Sequence, residues 1–130
     1  MKKLIFFIFA SLIFISCTTY SQDNQDTKQL SAKDMLCIKW KISDYKENGE
    51  KADMPEVYIE FKSDGKYVYK EEDTEEGIWE VSDDKTIIFD KGTDDEEKWD
   101  VNSLETQKLN VKYTEDKTEY ECSFVPVPKN

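Results

Sequence analysis

The sequence predicts an all-β protein, an eight-stranded antiparallel up-and-down barrel. Two observations carry this prediction. From residue 38 onwards short segments alternate apolar and polar residues, and turn-forming residues separate these segments at regular spacing. A meander of eight strands leaves two unpaired edges, and closing the sheet on itself removes both. A two-sheet β-sandwich satisfies the same periodicity and remains the alternative architecture.

The predicted strands are short and follow one another closely. In the first strand Trp40 and Ile42 share one face and lysines occupy the other, which is typical of a half-buried strand. Gly77 opens the fourth strand, the other three glycines fall in turns, and none is predicted within a strand. The eight segments are residues 38–45, 56–62, 66–71, 77–82, 86–90, 98–102, 108–114 and 118–125.

The segment before the barrel has the pattern of a targeting signal. Residues 1–16 are predicted to be a lipoprotein signal peptide, because two lysines precede an apolar run that is shorter than the roughly 20 residues of a membrane span. The serine–cysteine pair that ends this run resembles a bacterial lipobox, which implies cleavage before Cys17 and a diacylglycerol on its sulfur. The alternatives are ordinary signal cleavage nearby or an uncleaved anchor. Residues 17–30 then form a flexible tether and residues 31–130 the barrel domain, with Ser31 suited to cap a short helical turn.

Three segments carry a family resemblance. Residues 36–42 (LCIKWKI), 61–67 (FKSDGKY) and 77–87 (GIWEVSDDKTI) resemble the L-x-G-x-W opening and the F-x-x-D-G-x-Y and G-x-W-x-V hairpins of bacterial lipocalin-like domains. Ile38 stands where that family has a glycine. The resemblance covers residues 35–126 and implies an up-and-down barrel around an apolar interior. Many such domains resemble secreted lipoproteins of Bacteroidota, which implies an outer-membrane lipoprotein facing the periplasm or the cell surface. No particular ligand is implied.

The composition excludes several functions. The chain has 18 basic residues, all lysine, against 29 acidic ones, a net charge of -11, and no histidine or arginine. A Ser-His-Asp triad, a His-ligated zinc site and an arginine clamp are therefore impossible, and the charge disfavours nucleic acid. We expect a non-enzymatic, monomeric protein without cofactor or metal. The acidic runs at residues 71–76 and 94–97 are interpreted as solvated loops, with docking to a basic envelope protein as an alternative role.

Two cysteines remain if Cys17 is lipidated. Cys37 and Cys122 are an even pair in a predicted exported protein, and they lie on the first and last strands, which are neighbours in a closed barrel. A disulfide between them would close a long loop and stabilise the fold by about 4 kcal/mol. The bridge requires Cys37 to lie before its strand or at a bulge, because the alternation otherwise turns the two side chains to opposite faces. Two free thiols are the alternative.

Seven aromatic side chains at alternating strand positions are the candidates for a ligand pocket. If one end of the barrel is open, they would line a site for a small apolar ligand, and this is the function that the sequence favours. The alternative is that they fill the core, which would leave a structural or protein-interaction module with acidic loops. The seven residues are Trp40, Tyr67, Tyr69, Trp79, Trp99, Tyr113 and Tyr120.

Replacing Cys17 by serine tests the lipid anchor. Because the lipid thioether cannot form on serine, we expect the Cys17→Ser variant to lose the mass of the acyl groups and to leave the membrane fraction. Intact-protein mass spectrometry and fractionation measure the two effects. Cys37→Ser is the matched control and should remain acylated. A Cys17→Ser protein that still carries lipid would contradict the predicted anchor.

Overall fold

The computed structural model describes residues 30–129 and confirms the all-β fold. The predicted signal peptide, Cys17 and nearly all of the tether lie outside the described residues. Ser31 is the N-cap of a short helix, as predicted, and its hydroxyl accepts a hydrogen bond from the Asp34 N–H at 3.1 Å. The elements are α1 Ala32–Leu36, β1 Lys39–Glu47, β2 Glu50–Lys51, β3 Tyr58–Phe61, β4 Lys66–Lys70, β5 Thr74–Ser82, β6 Thr86–Phe89, β7 Glu97–Glu105, β8 Lys108–Glu115 and β9 Thr118–Pro126.

The sheet closes through β1. Strands β3 to β9 pair antiparallel in chain order, β1 pairs with β3 on one side, and β1 pairs with β9 on the other. The β1–β9 ladder runs from Trp40 opposite Pro126 to Glu47 opposite Tyr120. Eight strands therefore form a closed antiparallel barrel, which confirms the predicted barrel and excludes the two-sheet sandwich.

The ninth strand, β2, was not predicted from the sequence. It pairs only with the end of β1, through a two-residue loop in which Asn48 and Gly49 both have positive φ, 49° and 82°. Such a loop is a type I′ turn, for which Asn-Gly is the most favourable sequence. The signal for this hairpin is therefore the dipeptide itself, because a two-residue strand is too short to show alternation.

Two β-bulges change which side chains face the interior. The β1 register shifts between Ile42 and Asp44, and beyond the shift Tyr45 packs against the core. A second shift, in β7 just after Val101, brings Leu104 against the core. A bulge adds one residue to its strand, so the in–out alternation reverses beyond it. Periodicity read along the sequence misses both reversals.

One end of the barrel is closed beside α1. Leu36, the last residue of the helix, is fully buried, and its carbonyl accepts a hydrogen bond from Trp40 Nε1–H at 3.0 Å. Trp79 makes the equivalent bond to the carbonyl of Lys62, also at 3.0 Å, where β3 turns into β4. Each indole therefore buries a large apolar ring and satisfies its N–H with a backbone carbonyl.

The predicted disulfide is wrong. Cys37 and Cys122 are both free thiols in the described part of the chain. Cys122 lies opposite Tyr45 on β1, whereas Cys37 precedes the first residue of β1, Lys39. The six residue steps from Lys39 to Tyr45 span about 20 Å, and a disulfide requires Cα atoms within about 7 Å. In an antiparallel pair the start of β1 lies beside the end of β9, whereas Cys122 lies in the middle of β9.

The two thiols should differ in reactivity. Cys122 is 4% exposed, and burial raises the pKa of its thiol to about 11, so both access and thiolate fraction are low. Cys37 is partly exposed, although burial raises its pKa as well. We expect iodoacetamide to label Cys37 in the folded protein and both residues in denaturant, as measured by peptide mass mapping. A linked Cys37–Cys122 peptide without reductant, or equal labelling in the folded state, would contradict this assignment.

Candidate functional site

The barrel end opposite α1 is open, and we call it the mouth. Because the strands alternate in direction, the ends of β1, β4, β6 and β8 and the starts of β3, β5, β7 and β9 meet there. The mouth holds a cleft of about 1120 Å³. Five aromatic side chains line it, namely Tyr67, Tyr69, Phe89, Trp99 and Tyr113. Eight carboxylates line it as well, namely Glu75, Glu76, Asp90, Asp94, Asp95, Glu96, Glu97 and Glu115.

A continuous series of four stacked rings starts at the cleft. Trp99 stacks on Tyr113, with centroids 5.2 Å apart and planes 16° from parallel. Tyr113 stacks in turn on Tyr120 at 5.0 Å, and Tyr120 on Tyr45 at 5.9 Å. We call these four residues the aromatic stack. Offset stacking favours such ring pairs beyond the area that they bury, so the stack is a preformed surface.

Carboxylates accept hydrogen bonds from aromatic side chains at the mouth. Trp99 Nε1–H donates to Glu97 Oε1 at 2.7 Å, and the Tyr69 hydroxyl donates to Glu71 Oε2 at 3.2 Å. The Tyr45 hydroxyl donates to its own neighbour two residues on, Glu47, at 3.0 Å. Residues two apart in a strand face the same side, which explains why each pair meets. These three aromatic donors are thus used within the protein.

A third hydroxyl–carboxylate pair holds the mouth beneath the β6–β7 connection. The Tyr67 hydroxyl donates to Asp90 Oδ2 at 2.7 Å, and the Ile78 N–H donates to Asp90 Oδ1 at 3.0 Å. Both partners come within contact distance of Gly77, which lies inside β5 and does not open it as predicted. A side chain at residue 77 would fill the space that the tyrosine ring and the carboxylate occupy. The glycine therefore makes room for this pair.

The charged residues that line the cleft are almost all negative. Among the described residues that line the cleft, Lys98 is the one cation beside the eight carboxylates. The three salt bridges within residues 30–129 join Asp44–Lys51, Glu80–Lys91 and Glu119–Lys112, and none includes a carboxylate of the cleft. The lysines of the outer wall therefore do not neutralise the acids of the mouth.

The pKa of Glu97 responds to its surroundings in the cleft. The side chain is exposed to the cleft, yet the concave wall surrounds its carboxylate with protein atoms, and this partial burial raises the pKa of Glu97. The hydrogen bond from Trp99 opposes the rise, and the negative charges of Glu115 and Glu75 add to it. Burial and the adjacent carboxylates likewise raise the pKa of Tyr67, and of Tyr69, so that these hydroxyls stay protonated donors.

A smaller cavity of about 160 Å³ lies beneath the cleft. Its lining includes Tyr45, Tyr120 and Cys122, together with aliphatic side chains of the core. This volume is well below the range of about 300–1,000 Å³ of small-molecule pockets. The interior below the mouth is therefore filled by side chains, and space for a ligand of ordinary size lies in the cleft.

The seven predicted pocket residues divide into three groups. Trp40 and Trp79 line neither cavity, because they fill the closed half of the barrel. Tyr120 lines the inner cavity and belongs to the aromatic stack. The remaining four line the cleft, namely Tyr67, Tyr69, Trp99 and Tyr113.

The sequence reasoning missed the carboxylates of the mouth. The interpretation of both acidic runs as solvated loops is wrong in part, because β5 begins at Thr74 and β7 at Glu97, which places Glu75 and Glu97 on strands that line the cleft. A signal for them exists in the sequence. An aromatic residue and a glutamate recur two positions apart near strand ends, as Tyr45-Lys46-Glu47, Tyr69-Lys70-Glu71, Glu97-Lys98-Trp99 and Tyr113-Thr114-Glu115.

The site has no arrangement typical of a metal centre in residues 30–129, since no three His, Cys, Asp or Glu side chains come together there in a way that could hold an ion. None of the helical structure in the same residues is long and apolar enough to cross a bilayer.

The fold and the mouth define a closed β-barrel with an aromatic and acidic opening. A scan against protein-family models and a search of the curated proteins found no match to this chain.

Replacing Gly77 by alanine tests the packing that shapes the mouth. An added Cβ would lie 2.8 Å from Tyr67 Cε1 and would collide with the Asp90 carboxylate, and their mutual hydrogen bond prevents either from moving freely. We expect the free energy of unfolding to fall by about 1–3 kcal/mol. Tryptophan fluorescence during urea unfolding measures this change. Glu76→Ala, the adjacent exposed position, should change it by less than about 0.5 kcal/mol, and equal effects of the two variants would contradict the steric argument.

Proposed function

We propose that this protein is a non-enzymatic binding protein of the cell envelope that takes a small molecule into the mouth of its barrel. The observation that supports the proposal is the cleft of about 1120 Å³ with five aromatic side chains on its wall. Small-molecule sites are concave, have volumes of about this order and combine aromatic surface with a few placed polar groups. The mouth provides both components on rigid strands.

The aromatic stack supports an apolar or aromatic body for the ligand. Tyr69 and Tyr113 are partly exposed to the cleft, and stacking on Trp99 fixes the ring of Tyr113 before a ligand arrives. The filled interior limits how far a ligand can enter. The molecule would therefore rest against the aromatic stack near the mouth, and only a small group could reach the inner cavity of about 160 Å³.

The proposed location rests on the sequence. The lipobox-like residues at Cys17 favour an exported, lipid-anchored protein, and the following tether would hold a monomeric barrel at an outer membrane. The lipocalin-like motifs fit this proposal, because the hairpins that carry them occupy β3–β4 and β5–β6 of the closed barrel. The absence of histidine and arginine is the reason that we propose no enzymatic activity.

One observation favours a second candidate function. The closed half of the barrel is filled, with Trp40, Ile59 and Leu109 among its fully buried residues. A barrel with so much of its interior occupied could act as a structural module whose acidic loops dock to a basic envelope protein. The open, aromatic cleft at the other end is the reason that we place small-molecule binding first.

Native mass spectrometry of the protein extracted from its own envelope tests the proposed function. We expect mass beyond the acylated chain that leaves on gentle activation, because a non-covalent ligand dissociates before the polypeptide breaks. Tyr69→Ala removes a cleft tyrosine and should lower the ligand-bound fraction about tenfold. The matched control is Tyr58→Ala, an outer-wall tyrosine that lies beneath the Lys39 and Lys41 ammonium groups.

The acylated chain alone, with no dissociable mass from the natural envelope, would contradict small-molecule binding. Crosslinking in intact cells would then decide whether a basic protein partner occupies the acidic surface. Equal ligand occupancy in the Tyr69→Ala and Tyr58→Ala variants would show that the bound molecule lies outside the mouth.

A further inference from the structure

We propose that the mouth selects an organic cation, a molecule that joins an aromatic or apolar body to a protonated amine. This inference rests on the proposed function and specifies the charge of its ligand. It follows from three features of the mouth: the sign of its charge, the direction of its hydrogen bonds and the faces of its rings.

The charge comes from three different strands. Glu75 lies on β5, Glu97 on β7 and Glu115 on β8, and all three line the same cleft. Partial burial raises the pKa of Glu97, and the negative charges of Glu115 and Glu75 raise it further, in keeping with their place in the same cleft. Carboxylates focused into a concave, partly desolvated site attract a cation more strongly than the same charges on a convex surface.

The hydrogen bonds between aromatic side chains and carboxylates of the mouth run in one direction. The Trp99 indole N–H and the hydroxyls of Tyr67 and Tyr69 donate to Glu97, Asp90 and Glu71. These three aromatic donors are therefore committed to protein acceptors, and within residues 30–129 the eight carboxylates of the cleft outnumber its one cation, Lys98. An ammonium group has three donors and no acceptor, so it complements such a site. A carboxylate or phosphate ligand would face acceptors and like charge.

The ring faces add an attraction for the same kind of ligand. The faces of tryptophan and tyrosine carry negative potential and attract cations within about 6 Å, most strongly where water is partly excluded. Trp99 and Tyr113 cover each other's faces, whereas Tyr69 lines the cleft, is partly exposed and stacks on no other ring within residues 30–129. A cationic group at the mouth would thus contact both carboxylate oxygens and the face of Tyr69, while its apolar body covers the partly exposed ring of Tyr113.

The arrangement fits an organic cation better than a metal ion. A calcium ion needs six to eight oxygens at about 2.3–2.6 Å. No three carboxylates in residues 30–129 converge in that way, and those above the rings are engaged with aromatic donors. Separated carboxylates around an aromatic surface suit a cation that is itself several atoms wide.

A series of probes with one aromatic body and three charges tests the inference. The probes are 1-naphthylmethylammonium, 1-naphthalenemethanol and 1-naphthoate, titrated calorimetrically into the full lipidated protein in a zwitterionic detergent with detergent-only blanks. We expect the ammonium to bind about tenfold more tightly than the alcohol, and the naphthoate to bind most weakly. The preference should shrink when the ionic strength rises from about 0.1 M to about 1 M, because the site opens to solvent.

Glutamate-to-glutamine variants locate the charge effect. Glu97→Gln combined with Glu115→Gln keeps the shape and removes two charges, so the preference for the ammonium over the alcohol should fall about fivefold. Glu105→Gln is the matched control, because it makes the same substitution on β7 at the opposite end of the barrel. Glu75→Gln provides an independent single variant if the double variant unfolds below the temperature of the assay.

The outcomes separate this inference from the proposed function. Equal affinity for ammonium and alcohol, or a preference that survives in the double variant, would overturn the cation inference and leave small-molecule binding intact. The same conclusion would follow if none of the three probes bound and the natural protein carried a dissociable ligand that is neutral or anionic. Failure of all three probes on a protein that carries no ligand from its envelope would overturn both.

Discussion

The pairing of β1 with β9 closes the barrel, and the other features of the molecule depend on it. This ladder joins the two chain ends of the meander, so no strand of the barrel keeps a free edge along its length. Its register also sets what the interior contains. Trp40 meets Pro126 at the closed end, and the bulge beside Ser43 turns Tyr45 inward opposite Cys122. Without that bulge the alternation would direct Asp44 inward, and the aromatic stack would lack its last ring.

The interior divides into two halves that use the same residue types differently. At the closed end the indoles of Trp40 and Trp79 donate to backbone carbonyls, which completes the hydrogen bonding of turns and leaves an apolar core. At the mouth the indole of Trp99 donates to a carboxylate, Glu97, on its own strand. A backbone carbonyl is fixed and neutral, whereas a carboxylate brings charge to the edge of the core. The first arrangement stabilises the fold, and the second prepares a polar surface above it.

Much of this fold is predictable from the sequence, because alternation and turn chemistry are local properties. The eight barrel strands and the Ser31 cap follow from patterns of a few residues, and each is present. The wrong predictions concern register and bulges, which are properties of strand pairs. Cys122 lies opposite Tyr45, six residue steps or about 20 Å along β1 from Lys39, the strand residue nearest to Cys37. The sequence spacing of the two cysteines gives no indication of this separation. Glu97 was misplaced because a run of four acids has the composition of a loop, although its last member begins β7.

The distribution of ion pairs explains why the acids of the mouth differ from the other acids of a strongly negative chain. On the outer wall Glu80 and Glu119 lie 2.6 Å and 3.0 Å from lysine ammonium groups, so part of the negative charge there is balanced. At the mouth Glu97 receives a hydrogen bond but no lysine, and adjacent carboxylates and partial burial raise its pKa. Like charges held close together destabilise a folded protein slightly, and a fold under selection for stability alone could remove them by a single substitution. Their position on rigid strands around an aromatic surface is what a site would need if the missing positive charge arrives with the ligand, since binding would then relieve the repulsion and stabilise the folded state.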